Sequence, residues 1–155
     1  MAVHLSLLTS ARKKHTVLIE ARKLNMSNLS IGTRQNGGVT ILDLSGKIML
    51  GDTSADLRKY VRGLVEKGDK NILLNLADVS SIDSSGLGEL VASYVAVQRI
   101  DGEMKLLNLH QRIRDLMVMT KLLTVFDDYE DETDAVNSFA AEARSATAAD
   151  APPQA

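Results

Sequence analysis

The sequence predicts a single α/β domain built on a mixed sheet of four to five strands with about four helices. Helix-like and strand-like apolar periodicities alternate from residue 54 onward, as in a sheet covered by helices. Residues 71–76 are nearly all apolar, which is typical of a strand buried on both faces. The 155 residues suffice for one domain of ordinary size plus tails, and with 3% aromatic residues the core must consist of Leu, Ile, Val and Met.

The first half of this pattern predicts two strands and a helix. Residues 39–44 form a strand, Ser45-Gly46 marks a bend, and residues 47–50 form a short second strand. Thr53 or Ser54 is suited to cap the following helix, which ends near Gly68. The inner face of that helix carries Leu57, Val61, Leu64 and Val65.

The second half repeats the alternation of strand and helix. In order, it predicts a strand over residues 71–76, a helix from 87 to about 100, a strand over 104–109, a short helix over 112–119, a fifth strand or extended segment over 122–126, and a helix over 131–143. Residues 143–155 carry too little apolar surface to offset the cost of ordering, so we expect a disordered tail.

Residues 1–30 match none of this pattern, and we expect a flexible extension. A short appended strand or helix, or a basic arm, is an alternative interpretation. Translation from a start codon upstream of the natural one, with Met26 as the natural start, would also explain the extension. The domain itself is predicted over residues 31–142.

Composition excludes several classes of protein. Because there is no Cys, disulfides, Cys-ligated zinc, iron–sulfur clusters and a thiol nucleophile are excluded. The net charge of −2 combines a basic segment at residues 1–26 with a net acidic remainder, which disfavours direct nucleic-acid binding by the folded part. No apolar run approaches the length of a membrane span and no secretory signal is evident, so a cytoplasmic protein is expected.

The most informative stretch is residues 83–88, Asp-Ser-Ser-Gly-Leu-Gly, between a predicted strand and a predicted helix. Two adjacent hydroxyls at a helix N-terminus lie where free backbone N–H groups and the helix dipole favour a phosphate. A helix cap alone, with Glu89 completing a capping box, is the simpler interpretation. It leaves Gly86 and Gly88 unexplained, since each costs a helix roughly 1 kcal/mol relative to Ala. That cost in a first turn predicts that some other group approaches the backbone closely there.

Catalysis is not predicted. The histidines His4, His15 and His110 are not spaced as metal ligands, and His110 is expected to have a capping or surface role. No glycine-rich phosphate loop with a following Lys is present, and Ser84 lacks the glycine that a nucleophile elbow requires. We therefore expect no enzyme activity, no cofactor and no metal, and interpret Ser84 as the acceptor of a phosphoryl group from another protein.

Residues 82–88, Ile-Asp-Ser-Ser-Gly-Leu-Gly, closely resemble the motif of anti-sigma factor antagonists of the STAS-domain family. The resemblance extends over residues 31–142 and includes residues 75–79, 102–106 and 112–116. It implies a STAS-like fold and a protein that binds an anti-sigma serine kinase, frees a sigma factor, and is inactivated when the kinase phosphorylates Ser84. A serine phosphatase would reverse that step, and a monomer or weak dimer is expected.

The partner-binding surface that this resemblance implies comprises Asp83, Ser84, Ser85, Gly86, Gly88 and Asp78. One segment departs from the family pattern. Members of the sporulation and stress type often carry Gly-Glu-x-Asp after the first strand, whereas residues 46–49 here read Gly-Lys-Ile-Met. Contacts with the kinase at that segment are therefore expected to differ.

Two other functions remain open from the sequence. STAS-like domains also serve as interaction modules of larger signalling assemblies, or bind small ligands such as nucleotides. The first would give large particles on a sizing column, and the second a ligand-dependent melting temperature. Hydrolysis through Ser84 is disfavoured because no base accompanies it.

Overall fold

The computed structural model describes residues 29–150 of the chain, which form a five-stranded mixed sheet with helices on both faces. The strands are β1 (Leu29–Asn36), β2 (Val39–Ile48), β3 (Asn71–Ile82), β4 (Glu103–Leu107) and β5 (Asp128–Tyr129). The helices are α1 (Asp52–Glu66), α2 (Ser84–Gln98), α3 (Gln111–Met119) and α4 (Glu132–Asp150), with a 3₁₀ turn at Leu122–Thr124. This architecture confirms the predicted fold class.

The sheet has the order β1-β2-β3-β4-β5, with β1 antiparallel to β2 and every other neighbouring pair parallel. β2 and β3 therefore end at the same edge of the sheet. β1 runs the opposite way, so its first residue, Leu29, lies at that edge opposite Gly46 of β2. The loops that follow β2 and β3 are thus brought together beside the beginning of β1.

The larger core lies between the sheet and helices α1, α2 and α3. It is built from alternate residues of the strands and one apolar stripe of each helix, as binary patterning requires. The helices contribute Leu57, Val61, Leu64, Leu87, Leu90, Val97, Ile113 and Met117, all of them buried. Phe126 completes this core and packs edge-to-face on Tyr94, with ring centroids 5.1 Å apart.

Among the described elements, helix α4 alone covers the other face. Its Ala135, Val136 and Phe139 pack on Val39, Ile41, Leu73 and Leu107. Lys105 of β4 is also buried on this side, with 1% of its side chain exposed. Its ammonium group lies 2.9 Å from Ser138 Oγ, 3.0 Å from Glu142 Oε1 and 4.8 Å from the centroid of the Phe139 ring.

Three elements differ from the sequence predictions. Strand β1 was not predicted: the glycine pair at 37–38 closes a β1–β2 hairpin with φ of 59° and 81°, instead of introducing an isolated strand. Residues 39–48 form one strand instead of two, because register shifts against β3 absorb the irregularity near Gly46. Residues 122–126 are not a strand: Leu122–Thr124 form a 3₁₀ turn after Lys121, which has a φ of 62°, and the last strand lies at Asp128–Tyr129.

The first and last elements of the domain extend beyond the predicted boundaries. The sheet begins at Leu29, two residues before the predicted boundary, and α4 continues to Asp150, seven residues past the predicted end. Six of the residues from 140 to 149 are Ala, the strongest helix former, which favours helix even without buried surface. The expectations for residues 1–28 and 151–155 fall outside the described residues.

Candidate partner-binding and phosphorylation site

Asp83 organises the junction between β3 and α2. It caps α2 in an extended conformation, and its Oδ1 accepts a hydrogen bond from the backbone N–H of Gly86 at 2.8 Å. Its Oδ2 accepts a second bond, also 2.8 Å, from the N–H of Leu50 in the loop between β2 and α1. These bonds, the Gly86 bond foremost, lower the pKa of the Asp83 carboxyl below its usual value. Asp83 therefore joins two loops as a carboxylate.

Ser84 is the first residue of α2 and is exposed, whereas Ser85 is half-buried. Position 84 follows directly on the cap, where the positive end of the helix dipole and unpaired N–H groups favour an anion. The Ser84 hydroxyl is thus accessible to another protein at a place that tolerates a negative charge.

Gly86 is buried, and the fold itself requires it to be a glycine. A Cβ atom at this position would lie 2.2 Å from the carbonyl oxygen of Ile48 and 2.7 Å from Cγ2 of Ile82. Gly88, in contrast, is exposed, and a Cβ there would meet no atom within 4 Å. The close approach that the glycine-rich motif indicated is therefore made at Gly86 by β2 of the same chain. No close contact in the structure requires a glycine at position 88.

Met49 and Leu50 form an apolar tip beside Asp83, and sequence reasoning missed it. Leu50 is 78% exposed and Met49 36%. Hydrogen bonds fix the backbone of the tip. Met49 N lies 2.7 Å from Thr53 Oγ1, and Met49 O accepts a bond from Ser54 N at 3.2 Å. The N–H of Leu50 donates to Asp83. In the sequence, the only sign of this tip is that Met49 and Leu50 are followed by Gly-Asp at a strand end. The same pattern also suits the end of a strand, which is what the sequence predicts over residues 47–50.

The last residue predicted for the partner surface is Asp78. Asp78 is exposed on β3, with Ser45 as its register partner on β2, toward the same edge. Leu87 and Leu90, which follow the serines on α2, are buried core residues. Met117 is buried and Met119 is 79% exposed, so only the first fills the core.

The predicted capping box is absent from this junction. Asp83, and not Ser85, is the cap, while Glu89 forms a two-bond ion pair with Arg58 of α1 at 2.6 and 2.9 Å. This ion pair joins α1 to the first half of α2, which begins with Ser84 and Ser85. His110 caps α3 by position and its Nε2 contacts the carbonyl of Ala77, which agrees with a capping or surface role.

Within residues 29–150 no group of three or more His, Asp or Glu side chains is placed to hold a metal ion. No helix in the same range is long and apolar enough to cross a bilayer.

Proteins that are similar to this chain in sequence and those that are similar in fold indicate the same family. The model of the STAS domain family matches residues 30–135. The anti-sigma-B factor antagonist of Bacillus subtilis is 31% identical over 100 residues, which cover 64% of this chain and 90% of that protein. An anti-sigma factor antagonist from Mycobacterium paratuberculosis superposes with a TM-score of 0.65 at 22% identity, covering 72% of this chain and 93% of its own.

A third relative is the Bacillus cell fate determinant SpoIIAA, solved in its phosphorylated form. It superposes with a TM-score of 0.56 at 19% identity, covering 70% of this chain and 98% of its own. At this identity the likeness shows a common fold. Taken with the family match and the sequence relative, it leads to one conclusion: the chain belongs to the anti-sigma factor antagonists of the STAS-domain family.

Proposed function

We propose that the unphosphorylated protein binds an anti-sigma serine kinase, so that a sigma factor is released, and that phosphorylation of Ser84 ends this binding. The observation that carries the proposal is the exposure of Ser84 at the N-terminus of α2, directly after Asp83, whose carboxylate accepts a hydrogen bond from Leu50 of the apolar tip. The phosphorylated SpoIIAA relative supports a phosphate on this fold.

The chemistry of the transfer belongs to the kinase. The Ser84 oxygen bonds to the γ-phosphorus of a nucleoside triphosphate held by the kinase, the bond from that phosphorus to the bridging oxygen breaks, and the nucleoside diphosphate leaves. The hydroxyl proton passes to a base of the kinase. The protein supplies only an accessible acceptor, and a serine phosphatase reverses the step by hydrolysis.

The phosphate acts on the partner surface and leaves the fold intact. It adds about −1.5 to −2 charges next to Asp83 and on the same edge as Asp78. The helix N-terminus accommodates this charge, so the scaffold need not change. Binding to an apolar partner surface would then require removal of water from a dianion, and an acidic partner surface would repel it. A penalty of about 3 kcal/mol in the binding free energy weakens binding more than a hundredfold.

The proposal is tested with three variants of position 84 and 85 in a binding assay against proteins from the source cell. Ser84→Ala is expected to fold normally, escape phosphorylation and bind the kinase constitutively. Ser84→Asp is expected to keep a thermal transition within a few degrees of the parent and to lose the kinase. Ser85→Ala is the matched control and should still be phosphorylated.

Peptide mapping after incubation with the retained kinase and nucleoside triphosphate locates the phosphate. Phosphate on Ser85 alone, or global unfolding of the Ser84→Asp variant, contradicts the proposal. So does an equal yield of kinase from the parent and the Ser84→Asp protein.

A further inference from the structure

We infer that Lys47 determines which kinase binds, because the partner surface that reaches Ser84 carries a carboxylate opposite the ammonium group of Lys47. The inference rests on the proposed binding of an anti-sigma serine kinase and names the chemistry of the kinase surface. Lys47 belongs to the segment that departs from the Gly-Glu-x-Asp pattern, and the transfer of phosphate described above does not use it.

Lys47 lies at the same edge of the sheet as the phosphoacceptor. It is the last exposed residue of β2 and lies opposite Ser81 of β3, three residues before Ser84. One strand spacing and three residues along the chain limit the separation of the Lys47 and Ser84 Cα atoms to about 15 Å. Ile48 is buried in the core, so the alternation of the strand directs Lys47 away from that core.

The described part of the chain does not neutralise Lys47. Arg34, Arg58 and Arg114 each pair with a carboxylate, whereas no carboxylate of residues 29–150 lies within ion-pair distance of the Lys47 ammonium group. Asp78, which is exposed on the neighbouring strand, pairs with no cation of the same range. This edge therefore presents a cation and an anion that are both available to a partner.

A partner that reaches Ser84 also covers Lys47. A stable interface of ordinary size buries about 800 Å² on each protein, which corresponds to a patch of about 16 Å radius. Lys47 lies within that radius of Ser84. A charge that is transferred from water into an interface costs free energy unless an opposite charge compensates it. The surface that covers Lys47 therefore has to supply the carboxylate that residues 29–150 do not.

The sign of this charge distinguishes the protein from antagonists with the Gly-Glu-x-Asp pattern. Where that pattern has two carboxylates, this chain has Lys47 and Met49, and Met49 is 36% exposed. A kinase that is complementary to two carboxylates presents cations at this place. Those cations would repel Lys47, and one of them would lose its water against the apolar side chain of Met49. Lys47 is thus a specificity-determining residue beside the apolar tip.

The test measures the affinity of the full-length protein for the purified kinase that phosphorylates Ser84 in the mapping experiment above. Lys47→Gln removes the charge and should weaken binding about tenfold, while Lys47→Glu reverses it and should weaken binding about a hundredfold. Lys70→Glu is the matched control, because Lys70 is exposed and directly precedes β3 at the opposite edge of the sheet. It should bind like the parent, and all three variants should keep the thermal transition of the parent.

A charge exchange identifies the carboxylate of the kinase. Each acidic residue around the catalytic cleft of the kinase is changed to Lys, and each kinase variant is titrated against the parent and against Lys47→Glu. One of these changes is expected to weaken binding to the parent and to restore binding to Lys47→Glu by about tenfold or more, which a double-mutant cycle measures as coupling. The advantage of the parent over Lys47→Gln should decrease at high salt, because exposed charges are screened.

Three results overturn the inference alone, while the kinase still binds the parent and phosphorylates Ser84. The first is equal affinity of the parent and the Lys47 variants, including the case in which only the rate of phosphate transfer falls, since Lys47 would then contact the nucleotide phosphate. The second is tighter binding of Lys47→Glu, and the third is that no exchange in the kinase restores its binding. If the parent retains no kinase at all, the proposed function fails and this inference fails with it.

Discussion

Gly86 and Gly88 look alike in the sequence, yet the fold uses them in opposite ways. Because Gly86 has no Cβ, the carbonyl of Ile48 can approach the first turn of α2 closely. No atom lies within 4 Å of where a Cβ of residue 88 would be. The motif predicted a close approach to the backbone but not which glycine makes it, because that depends on where β2 lies. The exposure of Ser84, in contrast, followed from its position between strand and helix.

We expect Gly86→Ala and Gly88→Ala to change stability in opposite directions. The first must displace the end of β2 and should lower the free energy of unfolding by about 1–3 kcal/mol. The second removes a flexible residue from a helix and should raise it by roughly 0.5–1 kcal/mol. Urea denaturation of both variants checks this. A stable Gly86→Ala protein would contradict the close approach to Ile48.

At the scale of elements, the loop between β2 and α1 is the least predictable part of the site. Its sequence, two apolar residues and Gly-Asp, suited a short strand, because exposure of Met49 and Leu50 is decided by the tertiary position of the loop. β1 was missed for a related reason: residues 34–36 are polar, and only the pairing with β2 makes them strand. The strongly amphipathic helix α1 and the largely apolar helix α2, which pack against the sheet, were predicted from sequence.

If the apolar tip is part of the partner surface, Leu50→Ser should weaken binding to the proposed kinase partner about tenfold while leaving the thermal transition unchanged, because Leu50 is exposed and contributes little to the core. Met119→Ser is the matched control, since Met119 is 79% exposed. Titration of each variant against the retained kinase measures the effect. If both variants lose affinity equally, or neither does, the apolar tip has no specific part in the interface.

The whole molecule is a sheet whose two faces are covered unequally. Of the helices in residues 29–150, three cover one face and a single helix, α4, covers the other, where the buried Lys105 is surrounded by Ser138, Glu142 and the ring of Phe139. The sequence predicts the layers, because alternation of strand and helix implies them. It does not predict Lys105 as a buried residue, since a lysine in a strand ordinarily lies at the surface.

Glu142→Gln is expected to lower the free energy of unfolding by roughly 1–2 kcal/mol, because it weakens the partner of a buried ammonium group. The same change made together with Lys105→Met should have little further effect, since the charge is then gone. A double-mutant cycle from denaturation curves measures the coupling. Additive effects of the two changes would show that the pair at 3.0 Å does not stabilise the attachment of α4.

The two bonds accepted by Asp83 determine which residues position 83 tolerates. One oxygen serves Gly86 and the other Leu50, so the position needs two acceptors on one short side chain. Asn and Ser are good helix caps, but Asn has a single acceptor oxygen beside an amide donor, and the lone oxygen of Ser cannot reach both loops. Either replacement keeps the helix start and frees Leu50, so it would separate the proposed phosphoacceptor, Ser84, from the apolar tip that we propose as part of the same partner surface.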